Sequence, residues 1–389
     1  MIITIIINPE QRLNMDLDKL LNTMYEKKSS DLHLRVGAPP LLRINGVLHQ
    51  YGDDRLSIPL LKELKDQLLT EKQKKVLEEE LAVDSSYSIE GFKRFRLNLF
   101  YQRGTIAMVF RNIATDIPTI ESLDLPFVLT TFCDKPQGLV LVAGPTGSGK
   151  SSTLAAMLQH INETQSVHVV TIEDPIEFLF RDKRSFITQR EVGVDTTDYE
   201  VALKNAMRQD PDVMLIGEIR SIETMTTALN AAETGHLVFS TVHANSSYEA
   251  ISRIVDTFPV DTRGQIRKQI GDVLIASLFQ RLVPSADGNG RRAAVEVLLK
   301  TPRIKKLIDN NEMNDIRNEL ENSVSLHRMQ TVEQSLIALI ANKKIKYEDA
   351  LHATLKPGEL KLEMDKLGIS ENGDISFHKG DKDGATIEF

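Results

Sequence analysis

Residues 144–151 read GPTGSGKS, a G-x-x-x-x-G-K-S spacing. Gly147 and Gly149 let the backbone turn so that successive N–H groups face inward, where phosphate oxygens would sit. Lys150 can reach the β and γ phosphates, and the Ser151 hydroxyl is a ligand for Mg2+. A helix from Ser152 would add its positive N-terminal end. The bare pattern also occurs as a plain Gly-rich turn. Here an apolar strand precedes it (GLVLVAG, 138–144) and helical sequence follows it, which is the context a phosphate loop requires. Gly144, Pro145, Thr146, Gly147, Ser148, Gly149, Lys150, Ser151 and Ser152 are therefore expected to bind ATP with Mg2+.

A phosphate loop needs acids nearby. DPDVMLIGEIR (210–220) is an apolar run that ends in a carboxylate, Glu218. In phosphate-loop proteins a second strand ends beside the phosphates with an acid that orients Mg2+ and water. The usual Asp is absent, and Gly217 stands in its place. Glu218 alone is then expected on the metal side, through water; the alternative is that it pairs with Arg220 at a strand end. TIEDPIEF (171–178) supplies Glu173, Asp174 and Glu177 after another apolar strand, at an edge where open α/β sheets bind ligands. One of these acids could position the attacking water, and the alternative for each is a solvated loop charge or a helix cap. His236 and His243 flank LVFSTV (237–242). His243, at the carboxy-terminal end of that strand, is the better placed to sense a γ-phosphate. Either histidine could instead be a hydrogen-bonded structural residue, and nothing nearby completes a zinc site.

These residues must be held by a frame. GLVLVAG, SVHVVTIED (166–174), DVMLIGE and HLVFSTVHA (236–244) are near-continuous apolar strands separated by helical segments, which indicates a parallel sheet covered on both faces. From Arg263 to the 350s the pattern reads as helical, with Ile266, Ile270, Val273, Leu274, Leu278 and Leu282 on one side. Before the phosphate loop, 15–114 reads as an α+β domain: an amphipathic helix from Asp16, short strands broken by Gly37, Pro39 and Pro40, a second helix and two or three further strands. The Pro-punctuated stretch 115–126 is a candidate linker. Residues 1–14 form an extra segment, an added edge strand or a mis-assigned start. The 369–389 tail is expected to be disordered.

The 389 residues suffice for two domains, and 41% apolar with 26% charged residues is globular composition. The net charge of −8 argues against sequence-wide affinity for nucleic acid. Cys133 can form no internal disulfide, which points to a reducing cytoplasm, and it is expected to pack as a small apolar residue. No apolar run is long enough to span a membrane, so a membrane role would come through a partner.

GPTGSGKSST, TIEDPIEF, RQDPDVMLIGEIR and TGHLVFSTVHANS occur in the order and spacing of secretion-type ATPases. Together with SSDLHLRVGAPPLLRINGVL and FRLNLFYQRGTIAMVFRNI, the chain over 15–368 resembles the type IV pilus retraction motors, the PilT/PilU group. The resemblance implies a PAS-like first domain and a RecA-like second domain in a homo-hexameric ring, acting on an inner-membrane pilus platform protein. It assigns the water-polarising role to Glu177 and the Walker B role to Glu218. It places His236 and His243 in the family's His box, with His236 at the nucleotide. It also implies that Arg96 and Arg111 of the first domain reach the nucleotide, where a planar, permanently charged fork suits phosphate. TPRIKKLIDNNEMNDI stands where the best-known branch carries AIRNLIRE, and LHRMQTVEQSLIALIANKKIKYEDAL is more similar to the PilU branch. Whether such a protein retracts pili alone or assists a paralogous retraction ATPase stays open at this level. Three alternatives also stay open: a pilus-assembly or type II secretion motor, a nucleic-acid translocase, and a nucleotide-bound regulatory scaffold.

Overall fold

The computed structural model describes residues 16–219, 221–322 and 328–374. The extra segment at 1–14, Arg220 and the tail from 375 onward lie outside the described residues. Two compact units divide the chain between Thr115 and Asp116, and Glu177–Leu179 group with the first unit.

In the first unit, α1 (Leu17–Glu26) starts where the Asp16 side chain accepts the Lys19 N–H at 3.0 Å, and it buries Leu17, Leu20, Leu21 and Met24. Strands β1 (Asp31–Arg35), β2 (Leu41–Ile44) and β3 (Val47–Gln50) follow. Then come α2 (Ile58–Leu68), capped by Ser57, and α3 (Glu71–Glu80), held by a reciprocal cap between Thr70 and Gln73. Strands β4 (Ala82–Ile89), β5 (Lys93–Gln102) and β6 (Thr105–Asn112) complete an antiparallel sheet of order β3-β2-β1-β6-β5-β4. Period-two alternation buries Leu32, Leu34, Phe95, Leu97, Leu99, Ile106, Met108 and Phe110 on one face. This is the α+β domain that the sequence predicts. Phe178 bridges Ala114, and the Leu179 N–H donates to the Ala114 carbonyl at 2.9 Å, which ties 177–179 into this unit.

The second unit opens with 116–127. These residues are irregular but not loose: Ile120 and Leu125 are buried, and Asp124 takes Arg292 at 2.7 Å and Lys344 at 3.0 Å. Most of the expected linker is therefore fastened to the second unit. Next come α4 (Val128–Cys133), β7 (Gly138–Ala143), α5 (Lys150–Thr164), β8 (His168–Glu173) and β9 (Phe186–Glu191). These are followed by α6 (Tyr199–Ala206), β10 (Val213–Ile216), α7 (Ile222–Glu233), β11 (Leu237–Val242), α8 (Ser247–Thr257) and α9 (Arg263–Val273). Strands β7, β10 and β11 are buried at every position, which is why they read as continuous apolar runs. Cys133 is fully buried, its thiol on the Leu129 carbonyl at 3.4 Å, and burial raises its pKa far above the usual thiol value.

The reading of 263–350 as helical is corrected. After α9 the chain becomes β12 (Leu274–Pro284) and β13 (Arg291–Leu299). Leu274, Leu278 and Leu282 recur every four residues, a spacing that fits one helix face and equally one strand face. The sheet order is β13-β12-β7-β11-β10-β8-β9, parallel except for the β12–β13 pair. Helices α10 (Pro302–Asp309), α11 (Met313–Asn322), α12 (Val332–Ala341), α13 (Tyr347–Ala353) and α14 (Pro357–Leu367) follow. The expected start of the tail is also corrected: Ile369 is buried, and Ser370 and Asp374 close a turn over Gly373. An apolar anchor at 369 outweighs the polar composition around it. Among the described residues no helix is long and apolar enough to cross a membrane.

Candidate functional site

The loop 144–149 leaves the carboxy-terminal end of β7, and α5 begins at Lys150, two residues before the position the sequence suggests. Gly147 has φ 76° and Gly149 φ 88°, as the expected turn requires. At Gly149 space is tight as well: a Cβ would lie 3.0 Å from Gln280 Nε2. The Lys150 ammonium donates to the carbonyls of Gly144 and Pro145, at 3.0 Å each. Ser151 and Ser152 are half-buried in the first turn of α5. The Ser148 hydroxyl is buried and has no hydrogen-bond partner among the described residues.

Glu218 and His243 come together. They follow the ends of neighbouring parallel strands β10 and β11, and His243 Nε2 lies 3.4 Å from Glu218 Oε1. Their strand ends are clamped: the Ser240 hydroxyl donates to the Ile216 carbonyl at 2.7 Å, and the Thr241 hydroxyl to the Gly217 carbonyl at 2.6 Å. The next segment is fixed as well. Arg253 Nη1 donates to the His243 carbonyl at 2.6 Å, and Ser247 donates N–H and O–H to the buried Glu296 carboxylate at 2.7 and 2.6 Å. Burial raises the pKa of Glu296, against the lowering effect of those two donors. Since β11 separates β7 from β10, Glu218 stands roughly 10 Å across the sheet from the loop, by strand spacing.

Gly217 now has a physical reason. A Cβ there would lie 3.0 Å from the Tyr199 hydroxyl and 3.2 Å from the Ile172 carbonyl. A side chain there, the usual Asp included, would have to push these neighbours aside by a few tenths of an ångström. Gly217→Asp is expected to lower stability by about 1–3 kcal/mol through overpacking and to reduce turnover. Thermal midpoints and hydrolysis rates check this, and a variant that keeps both at parental level contradicts the steric account.

Of the three acids after β8, Glu173 is engaged locally: its Oε1 accepts from Thr171 at 2.7 Å and from Gln189 at 3.2 Å. Asp174 is exposed and joined by a cis peptide to Pro175. Glu177 is exposed, in the segment that groups with the first unit. His236 is placed elsewhere. It precedes Leu237, which pairs with Gly138, so it lies at the opposite edge of the sheet from the loop, about 20 Å away at strand rise. Its Nδ1 is 3.0 Å from the Ala231 carbonyl. Within one chain the expected contact between His236 and nucleotide is not made.

In the first unit the two arginines face each other across β5 and β6, Arg96 opposite Arg111. Arg111 Nε donates to Asp31 at 2.9 Å, and Arg96 lies 3.5 Å from Asp84. Asp31 is nearly buried. Burial raises its pKa, but hydrogen bonds from Ser30 and Arg111 outweigh that and hold it below the usual carboxylate value.

Among the described residues no group of three or more His, Cys, Asp or Glu could hold a metal by itself. The donor set present, the Ser151 hydroxyl and the Glu218 carboxylate, suits Mg2+, which keeps several waters and takes other oxygens from substrate phosphates.

A family model for type II/IV secretion system proteins matches residues 9–356. The chain belongs to that family. A Pseudomonas aeruginosa protein named type IV pilus ATPase PilU is 42% identical over 360 residues, covering 92% of this chain and 94% of the relative. The type IV pilus retraction ATPase PilT of the same organism is 41% identical over 336 residues, covering 86% and 97%. The crystal structure of the pilus retraction motor PilT with bound ADP matches with a TM-score of 0.80 at 42% identity, covering 90% of this chain and 99% of that one.

In this secretion-system family member, one residue at the loop escaped the sequence reading. Gln280 of β12 is fully buried; its Nε2 donates to the Ser148 carbonyl at 2.7 Å and its Oε1 accepts from the Thr153 hydroxyl at 2.9 Å. A helical reading of 274–282 hid it. The usable signal is an uncharged polar residue, Gln280, set directly after the apolar pair Leu278 and Phe279.

Proposed function

We propose that this chain is an ATP-hydrolysing motor of type IV pilus retraction, working as a homo-hexamer on an inner-membrane platform protein. The observation that carries the reading is a built phosphate loop, in a chain 42% identical to PilU over nearly the whole of both proteins. The loop N–H groups and Lys150 hold the β and γ phosphates, while Ser151 and Glu218 hold Mg2+, which neutralises phosphate charge when bound. Glu177 orients and polarises the attacking water. His243, beside Glu218, senses whether the γ-phosphate is present. Arg96 and Arg111 come from a neighbouring copy, so hydrolysis depends on the arrangement of the ring. ATP-driven rotation of the two units about the Thr115–Asp116 junction then moves the platform protein and returns pilin to the membrane. The ring sits in the cytoplasm, at the inner membrane through that partner.

Deleting the gene separates the readings. Pili retained on the surface with twitching lost indicate retraction, whereas loss of pili indicates assembly. Twitching lost only when a paralogous motor is also weakened indicates an accessory. In the full chain, Arg96→Ala and Arg111→Ala are expected to lower hydrolysis by about 10²- to 10³-fold, somewhat less than a full arginine finger supplies, with ATP affinity changed little. Unchanged hydrolysis in both variants sinks the trans-arginine assignment.

A further inference from the structure

We propose that Gln280 is a positioning residue for the phosphate loop, one that sets the direction of the loop N–H groups from a strand outside the loop itself. This rests on the reading of 144–151 as the ATP site. The argument begins with the peptide between Ser148 and Gly149. In a trans peptide the C=O and N–H point in opposite directions. Gln280 Nε2 pulls the Ser148 carbonyl toward β12 at 2.7 Å. The Gly149 N–H is therefore turned away from β12, the direction a phosphate cradle needs.

A glutamine amide can do this only if its nitrogen, not its oxygen, faces Ser148. The Ser148 carbonyl, which can only accept, decides that. The Thr153 hydroxyl, one turn into α5, then donates to Oε1 at the other end of the amide at 2.9 Å and steadies it nitrogen-toward-loop. Burial makes the arrangement decisive, because Gln280 and Thr153 are 0% and 1% exposed and water cannot replace a lost partner. The loop lies against both the side chain and the backbone of Gln280: a Cβ at Gly149 would crowd Nε2 at 3.0 Å, and one at Gly144 would meet the Gln280 backbone carbonyl at 2.6 Å.

The test compares Gln280→Met, Thr153→Val and the double variant in the full chain, using the affinity of a fluorescent ADP analogue and the kcat and KM for ATP. Gln280→Met keeps the length and removes both hydrogen bonds. It is expected to weaken ADP-analogue binding about tenfold or more, the effect of one lost buried hydrogen bond, and to raise KM for ATP more than it lowers kcat. Thr153→Val is expected to weaken binding several-fold by releasing the amide, and to have no further effect in the Gln280→Met background. Unchanged affinity in Gln280→Met, or a Thr153→Val effect of equal size in both backgrounds, overturns the proposal. If Gln280→Met does not fold, Thr153→Val decides: unchanged affinity in that variant overturns it. If the parent protein binds neither ATP nor the analogue, it is the reading of the ATP site that fails, a result distinct from either.

Discussion

Replacing Glu177 by Gln is expected to abolish ATP turnover, by about 10²- to 10⁴-fold, while ATP stays bound. The magnitude is that of a positioned group that polarises a nucleophile. An amide keeps the size and one acceptor oxygen but lacks the charge that draws a proton from water. Of the other acids in TIEDPIEF, Glu173 is held by Thr171 and Gln189. Glu177 is exposed and free of any such local clamp, as a group that must act on a bound substrate needs to be. The measurement is steady-state phosphate release beside equilibrium binding of ATP. Near-parental release with the Gln variant would move the assignment to another acid, with Glu218 the first candidate.

The second large effect is expected from Lys150→Ala. In the parent, the ammonium is directed back over the loop by two neutral carbonyls, Gly144 and Pro145. A phosphate oxyanion is the stronger partner, since charge-assisted hydrogen bonds are about twice as strong as neutral ones. Removing the side chain deletes that contact and a positive charge from a concave site. ATP affinity should fall by about 10- to 100-fold, from about 1.5–3 kcal/mol for a hydrogen bond between charged groups, and turnover should be lost at any attainable ATP concentration. Calorimetry and phosphate release check both. Thermal stability without nucleotide should fall only modestly, by the loss of the contacts to the two carbonyls, and the parent's gain in thermal midpoint on adding ATP should vanish. The two variants differ in kind: Glu177→Gln separates binding from chemistry, and Lys150→Ala removes both.

Much of the site was legible along the chain because its parts are contiguous. A phosphate loop is eight consecutive residues between a strand and a helix, so its chemistry is written locally. The parallel strands were equally plain, since burial on both faces leaves continuous apolar runs such as GLVLVA and LVFSTV. Glu218 and His243 were found as residues that end such runs, and pairing of β10 with β11 turned two separate guesses into one contact. Where the pattern was ambiguous, sequence reasoning failed. A leucine every fourth residue through 274–282 satisfies helix and strand alike, and only pairing with β7 and β13 settles which forms.

The amino-acid sequence by itself carried the G-x-x-x-x-G-K-S spacing and the acids and histidines beside apolar strand patterns, because each is set by residue type and local spacing. Only the tertiary structure decided the rest. Gly217 could be seen as a departure but not explained until Tyr199 and the Ile172 carbonyl were found filling the space. His236 and His243 flank one predicted strand, and the structure shows that strand to be six residues long, which puts them at opposite edges of the sheet. Gln280 stands 132 positions from the Ser148 carbonyl it holds. Such contacts depend on which strands lie side by side, and strand order is fixed by packing across the whole sheet rather than by any one segment.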